Sequence, residues 1–273
     1  MKKIEEQQEQ KSEQALTRIK RQIRTKQMLT KSAVDYVINE QAIALVYNGI
    51  SHAVMMATST DLFDFALGFS LAEKIIEHAS DISDHEIITC AQGTEIQLTI
   101  SSRLFSRLKE KRRTLAGNSG CGLCGVESLQ QTVKQHQPLP SAPLVNFAVI
   151  QKALMFFKTQ QILNNQAGAV HGAAFCSLTT GEVLSLREDV GRHNALDKLI
   201  GALAQSNIKR ESGFVLASSR ASYEMVDKTI AAGITHLVTM SAATSKAIEL
   251  AQQYKLTLIG FAHTDRHVIY TNT

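Results

Sequence analysis

The run Gly120-Cys121-Gly122-Leu123-Cys124-Gly125 places two thiols three residues apart in a glycine-rich stretch. Such glycines allow close backbone approach and φ values that other residues avoid. Upstream, Arg103, Arg107, Lys109, Lys111, Arg112 and Arg113 put six cations within eleven residues. Brought near a thiol, that field lowers its pKa and raises the fraction of thiolate, the form that attacks sulfur or binds metal. Three chemistries suit the pair. Half of a structural zinc site needs a second Cys/His pair at close spacing, yet Cys90 and Cys176 are isolated, with no histidine at finger-like spacing. A redox couple of the thioredoxin kind sits early in a βαβ unit, whereas this pair follows a basic segment deep in the chain. In a sulfur-handling site, one cysteine carries a persulfide and the other assists its release.

Four other segments carry polar chemistry. Arg187-Glu188-Asp189-Val190-Gly191-Arg192-His193-Asn194-Ala195-Leu196-Asp197-Lys198 reads as a strand-to-helix loop. Asn194 is placed to cap the helix, with Asp197 three residues on as in a capping box. Arg187, Glu188, Asp189, Arg192 and His193 are then either an ion-paired loop or one wall of a ligand crevice. Ser218-Ser219-Arg220 and Ser241-Ala242-Ala243-Thr244 each precede a predicted helix. They read as caps, or as phosphate-binding helix starts to which Arg220 adds a fork of donors. Phe261-Ala262-His263-Thr264-Asp265-Arg266 leaves a strand end with an aromatic ring, an imidazole and a guanidinium, suited to stacking on a base and holding a phosphate. His171, between Val170 and Gly172, reads by itself as structural. Zinc-dependent deamination needs H-x-E and P-C-x-x-C. None of the nine histidines has Glu two positions later, and Gly120 precedes Cys121, so those ligands are missing.

The elements that must position these residues follow from pattern. Residues 42–47 and 50–56 flank Asn48-Gly49, a pair that accepts positive φ at both central positions of a hairpin turn. Residues 61–77 carry apolar side chains at helical spacing. Residues 86–90 and 94–100 form a second hairpin around Gln92-Gly93, and 103–113 a basic helix. A glycine-rich loop at 115–125 holds the paired cysteines. Pro138, Pro140 and Pro143 mark 131–145 as a linker. Beyond it, Asn146 caps a helix over 147–163. Strands at 173–178 and 182–186 come next, then helix 195–203, strand 213–217, helix 222–231, strand 236–240, helix 244–254, and strands 256–261 and 268–271. Alternating β and α units predict a parallel or mixed sheet covered by helices, with ligands bound beyond the carboxyl ends of its strands. The expectation is an α/β protein in three parts: a basic arm (1–30), an N-terminal lobe ending in the C-x-x-C loop (31–138) and a C-terminal lobe (139–273).

At 273 residues with 44% apolar and 20% charged residues, the chain is long enough to bury a core without disulfides. No apolar run approaches the roughly 18 residues of a membrane span, and the charged, Gln-rich N-terminus lacks the apolar stretch of a secretory signal. The expected setting is the cytoplasm, away from membranes, with the cysteines as thiols or metal ligands. Residues 1–30 hold eight Lys/Arg against four Glu, so the whole net charge of +4 resides in the arm. That arm is either a solvated extension or an electrostatic handle for an acidic partner.

Together these segments resemble the formate dehydrogenase accessory sulfurtransferase family, the FdhD proteins. The matching stretches are 44–49, 65–69, 120–125, 188–198, 218–228 and 260–270, and their order is far more specific than C-x-x-C alone. The likeness runs from about residue 42 to 271 and leaves out the arm. It implies that sulfur is taken as a persulfide from a cysteine desulfurase. The sulfur then passes to the molybdenum bis(guanine dinucleotide) cofactor before that cofactor enters formate dehydrogenase. On this resemblance Cys121 carries the persulfide and Cys124 assists. Phe261, Ala262, His263, Thr264, Asp265 and Arg266, with Arg220 and His193, contact the cofactor. The cofactor is a bound client, with no permanent cofactor, no metal ligands and no nucleic-acid partner. The family further implies a homodimer and a C-terminal lobe similar to the cytidine deaminase fold. Asp265 departs from a purely phosphate-binding segment, and its acid suits a guanine edge instead. The alternative is a non-catalytic chaperone for the cofactor, whose cysteines hold a metal.

Overall fold

The computed structural model describes residues 15–23, 31–117 and 134–272. Cys121 and Cys124 lie outside the described residues. Part of the basic arm is strand: β1 (Leu16–Ile23) pairs antiparallel with β2 (Lys31–Ile38).

The first lobe is a four-stranded sheet packed against two helices. β3 (Glu40–Tyr47) pairs antiparallel with β4 (Ile50–Thr58) and parallel with β6 (Gly93–Ile100), and β5 (Ile82–Cys90) pairs antiparallel with β6. The β3–β4 turn is as the Asn-Gly pair predicts, with φ of 46° at Asn48 and 79° at Gly49. Asn48 also exchanges side-chain hydrogen bonds with both backbone groups of Ile100, pinning the turn to β6. Inward-facing Ile43, Leu45, Ile96 and Leu98 pack on Phe65, Ala66 and Leu67 of α1 (Leu62–Ala72). Each such fully buried side chain contributes roughly 2 kcal/mol. The helix ends at Ala72, short of residue 77. Lys74 takes a left-handed φ of 52°, and the reversal buries Ile75 and Ile76 instead of extending the helix. The basic helix is α2 (Ser102–Gly117), anchored by buried Leu104 and Leu108 one turn apart. Its last turn takes in residues 115–117, which the sequence assigned to a loop.

Residues 134–146 have no regular structure, as expected of a proline-rich connection, but they are fastened along their length. His136 Nε2 lies 2.6 Å from Asp227, Leu139 N–H donates to Tyr254 at 2.9 Å, and the carbonyl of Pro143 meets His236 Nε2 at 2.9 Å. Asn146 caps α3 (Phe147–Gln160) by accepting from Ala148 N–H. The expected helix to residue 163 breaks at Gln161 because the Glu188 carboxylate accepts from the amides of Leu163 and Asn164, giving the chain a new start, α4 (Ile162–Ala167).

The second lobe is a six-stranded mixed sheet. It comprises β7 (His171–Ser177), β8 (Val183–Asp189), β9 (Gly213–Ala217), β10 (His236–Thr239), β11 (Thr257–Gly260) and β12 (Val268–Thr271), in the order β12-β11-β10-β9-β7-β8. The central β9, β10 and β11 are parallel, and the remaining pairings are antiparallel. Alternate residues of β9 feed two cores. Val215 and Ala217 face α5 (Arg192–Ala204), α6 (Tyr223–Ala231) and α7 (Ser245–Gln253), while Phe214 and Leu216 face α3.

The lobes are joined by α1 crossing α5 with the two backbones in contact. A Cβ on Gly68 would lie 1.7 Å from the carbonyl oxygen of Asp197, and one on Gly201 would lie 1.9 Å from that of Asp64. Only glycine at both positions permits this approach.

Candidate functional site

The carboxyl ends of β9, β10 and β11 form one edge, and three loops leave it side by side. Backbone bonds tie them together. Ala221 N–H donates to Ala242, Thr244 N–H to Ala221, Phe261 N–H to Ser241 and Ala262 N–H to Thr239, each at 3.0 Å. The edge is therefore built by the sheet and braced from loop to loop. Phe261 has a φ of 49°, in the left-handed region that a bulky residue rarely occupies. This kink turns the chain outward. Ala262 stays buried, and His263, Thr264, Asp265 and Arg266 stand exposed. His263 N–H closes the turn on the carbonyl of Arg266, and Gln151 of α3 donates to the carbonyl of His263 at 2.8 Å.

Two strands away, Arg220 and His193 approach each other with Arg192 and His171. The His171 ring is 3.4 Å from Ser218 Oγ, which also accepts from Gly172 N–H. Burial, then the Arg192 charge, holds the His171 pKa below its ordinary value. His193 Nε2 lies 2.8 Å from Glu224 and 3.3 Å from Ser222 Oγ. Burial is the main influence on His193 and lowers its pKa. Glu224 opposes that, while Arg192, Lys228 and Arg220 add to it. Both imidazoles are thus predominantly neutral near pH 7, each with a nitrogen able to accept. The buried Nε of Arg192 has no hydrogen-bond partner among the described residues. Cations, neutral imidazoles and braced loops together suit an anionic ligand with an aromatic ring.

Behind His193 lies a cavity of about 600 Å³ where the lobes meet. Its wall is a chain of charges. Lys228 bonds both oxygens of Asp197, at 2.8 and 2.9 Å, and reaches Glu73 at 3.5 Å. Lys134 pairs with Glu73 at 2.9 Å and Asp227 at 3.1 Å. Burial raises the Asp197 pKa to about 6 in spite of Lys228. Burial works against the Lys228 charge, but Asp197 and Glu73 outweigh it and leave that pKa raised. On Asp227 the His136 hydrogen bond and Lys134 overcome burial and hold the pKa low.

The loop before α5 divides into two parts. Asn194 does not cap α5; the cap position is Gly191, and Asn194 sits within the helix, donating to Met56 and to Asp189 at 2.9 and 3.0 Å. Asp197 does not close a capping box either, because it is committed to Lys228. Asp189 is sealed against Lys198 at 2.6 Å, both side chains fully buried, and Lys198 also donates to the carbonyl of Thr58. Arg187 is held by Asp64 at 2.7 Å, and Glu188 starts α4. Of this loop, Gly191, His193, Asn194 and Asp197 line the inter-lobe cavity, and Arg187 and Glu188 line a separate one. Sequence pattern does not mark Asp197, Asp227, Lys228 and Glu73 as a charged set. The available signal was charge on the buried stripe of a helix: Asp197 and Lys198 lie between Leu196 and Leu199, and Asp227 and Lys228 between Val226 and Ile230.

Two of the cysteines can be placed. Cys176 is fully buried on β7, and burial pushes its thiol up to about 12, so it stays protonated and inert. Cys90 is exposed at the end of β5. Among the described residues no three His, Cys, Asp or Glu side chains are grouped as metal ligands, and no helix is long and apolar enough to cross a membrane.

Residues 38–273 match the model of the FdhD/NarQ family. The chain belongs to this family. It is 52% identical to the Sulfur carrier protein FdhD of Cupriavidus necator, over 87% of this chain and 82% of that one. It is 48% identical to the protein of the same name from Acinetobacter baylyi, over 87% of this chain and 86% of that one. A crystal structure described as a formate dehydrogenase accessory protein from Desulfotalea psychrophila superposes with a TM-score of 0.72 at 21% identity, covering 94% of this chain and 97% of that one. That superposition establishes the mixed α/β architecture as the fold of this family member.

Proposed function

We propose that the chain is a sulfur carrier serving formate dehydrogenase, with Cys121 as the thiol that bears the sulfur. The observation that carries this reading is the 52% identity, over most of the chain, to a protein named as a sulfur carrier. In this reading a cysteine desulfurase presents a persulfide. The Cys121 thiolate attacks its outer sulfur, forming a new S–S bond while the donor thiolate leaves. At delivery the Cys124 thiolate attacks the inner sulfur of the Cys121 persulfide. Hydrosulfide is released, and the two cysteines give up two electrons and form a disulfide, which a dithiol reductant reopens.

The client is the molybdenum bis(guanine dinucleotide) cofactor, held as substrate at the strand-end edge. Arg220 and Arg266, both exposed, supply donors for its diphosphates. Phe261 offers a ring for stacking, and Asp265 an acceptor for a guanine edge. His193, Ala262, His263 and Thr264 complete the wall. We read residues 139–273 as a lobe similar to the cytidine deaminase fold, 31–138 as the N-terminal lobe and 1–30 as an arm. We read the protein as a cytoplasmic homodimer; exposed Phe147, Val268 and Ile269 offer an apolar face for the second copy.

Incubation with a cysteine desulfurase and L-cysteine tests the carrier role. A sulfur adduct of about +32 Da is expected on the peptide holding Cys121 in the wild type and is lost in Cys121→Ala. If Cys121→Ala still supports sulfuration of formate dehydrogenase in cells, the cysteines serve a non-catalytic chaperone that holds a metal.

A further inference from the structure

A second cavity, of about 460 Å³, opens where the end of α1, the middle of α2 and the ends of α5 and α6 meet. Leu71, Ile200, Ala204 and Ala231 form an apolar floor. The charged groups on its rim are Lys74, Glu77, Arg107 and Arg210, with His78 beside them. Arg107 spends part of its charge on Glu77, at 3.2 Å, and both side chains remain more than half exposed. Arg210 is half-buried, and one guanidinium nitrogen donates to the carbonyl of Ile208 at 3.3 Å. Among the described residues the rim carries three cations against one carboxylate and is net positive. On the described part of α2, Arg103 and Lys109 flank Arg107, with Glu110 the one acid. The neighbouring acid Asp81 is occupied by the amides of Glu77 and His78.

The cavity is tied to both ends of the segment that holds the paired cysteines. Lys74 of its rim donates to the carbonyl of Gln135, eleven residues after Cys124. Arg107 belongs to α2, which ends at Gly117, four residues before Cys121. Ten helical residues advance ~15 Å and four extended ones at most ~14 Å. By chain length alone Cys121 therefore lies within about 30 Å of the cavity, comparable with the breadth of a standard interface of about 800 Å² per partner.

We propose that this cavity docks an acidic segment of the protein that delivers sulfur, with one apolar side chain seated on its floor and carboxylates meeting Lys74, Arg107 and Arg210. The inference rests on the carrier reading and adds where the donor binds. Charge complementarity selects the occupant, since a basic rim discriminates for acidic partners and speeds their encounter. An incoming carboxylate offsets the desolvation that lowers the Arg210 pKa. A nucleic acid fits less well, because the floor is aliphatic and offers no ring on which a base stacks.

The test uses the full chain with a cysteine desulfurase as probe. Two readouts are taken: affinity by calorimetry at low and high salt, and radiolabel transferred to the chain from ³⁵S-cysteine. Loading from glutathione persulfide, which needs no protein docking, runs in parallel. Arg107→Glu combined with Arg210→Glu is expected to weaken desulfurase binding at least about tenfold at low salt and to slow its loading to match. Loading from glutathione persulfide and the behaviour of Lys246→Glu, a distant surface reversal, stay at wild-type values. Because Arg210 is half-buried, Arg107→Glu alone and Ala232→Leu, which narrows the cavity mouth, are measured too, and both are expected to weaken binding. Wild-type affinity in all three variants overturns the proposal, as does equal loss of loading from both donors. Undiminished desulfurase binding together with weakened binding of a single-stranded RNA assigns the patch to nucleic acid and overturns it also. Absence of label on the wild type from either donor defeats the carrier reading instead, while the calorimetry still decides the docking site.

Discussion

The seam between the lobes and the strand-end edge are built from the same kinds of residue and treat them in opposite ways. At the seam, Asp189, Lys198, Asp197 and Lys228 are sealed and each ion has its counter-ion in place. At the edge, Arg220, Arg266 and His263 are exposed. His193 stands between them, its ring bonded to Glu224 and lining the inter-lobe cavity with it. Charge that is already paired fixes geometry, and charge left open is available to a ligand. A buried pair is costly to break because the survivor is left desolvated, whereas an exposed cation is lost at little cost to the fold.

The largest expected effect therefore falls on the seam. Asp189→Ala leaves the Lys198 ammonium buried with only the carbonyl of Thr58 for company, and also removes acceptors from Gly191 N–H and Asn194. We expect a loss of about 3–5 kcal/mol in urea unfolding. Arg220→Ala, at the edge, should change stability by no more than about 0.5 kcal/mol. Similar losses from the two would erase the distinction between the regions.

A smaller effect, of about 2 kcal/mol, is carried by pH. Asp197 ordinarily titrates near 3.8 and in the fold near 6. Between those values the folded state binds the extra proton, so this group's contribution to stability falls as pH rises through 4 to 6. Asp197→Asn removes that dependence. The stability of the wild type relative to the variant should be greatest near pH 4 and decline by pH 7, read from urea midpoints at several pH values. A wild-type advantage that grows with pH would show that Lys228, rather than burial, governs this carboxylate.

The hairpins, the sheet-forming strands and the helices of the second lobe were legible because alternation and turn chemistry are local. Asn48-Gly49 announces its turn, and the apolar run 213–217 announces a strand. The α1–α5 crossing was not legible, since Gly68 and Gly201 are distant in sequence and nothing local marks a glycine as a contact. The role of residues 187–198 was only half legible. Their polar density signalled importance, but whether Asp189 meets a ligand or Lys198 is decided by tertiary packing. The ends of α1 and α3 moved for the same reason: Lys74 turns to bury Ile75, and Glu188 reaches in from β8 to restart a helix. At the edge, Arg220 and His193 are brought together as the pattern of strand ends implied. The thiol pair lies outside the described residues.

The finest distinction is within the edge itself, between residues that brace it and residues that meet a ligand. Gln151 holds the 261–266 turn by its backbone, through the carbonyl of His263, while the Arg266 side chain projects from that turn into solvent. If the turn is a nucleotide site, removing the brace and removing the guanidinium should differ. Arg266→Ala should weaken guanosine diphosphate by about tenfold, the loss of one charge-assisted contact, with no change in urea midpoint. Gln151→Ala should loosen the turn and weaken the same ligand less, since His263 N–H still closes it on Arg266. Calorimetry that finds equal affinity in Arg266→Ala and wild type removes Arg266 from the site. A larger loss in Gln151→Ala than in Arg266→Ala would mean that the shape of the turn, rather than its charge, selects the nucleotide.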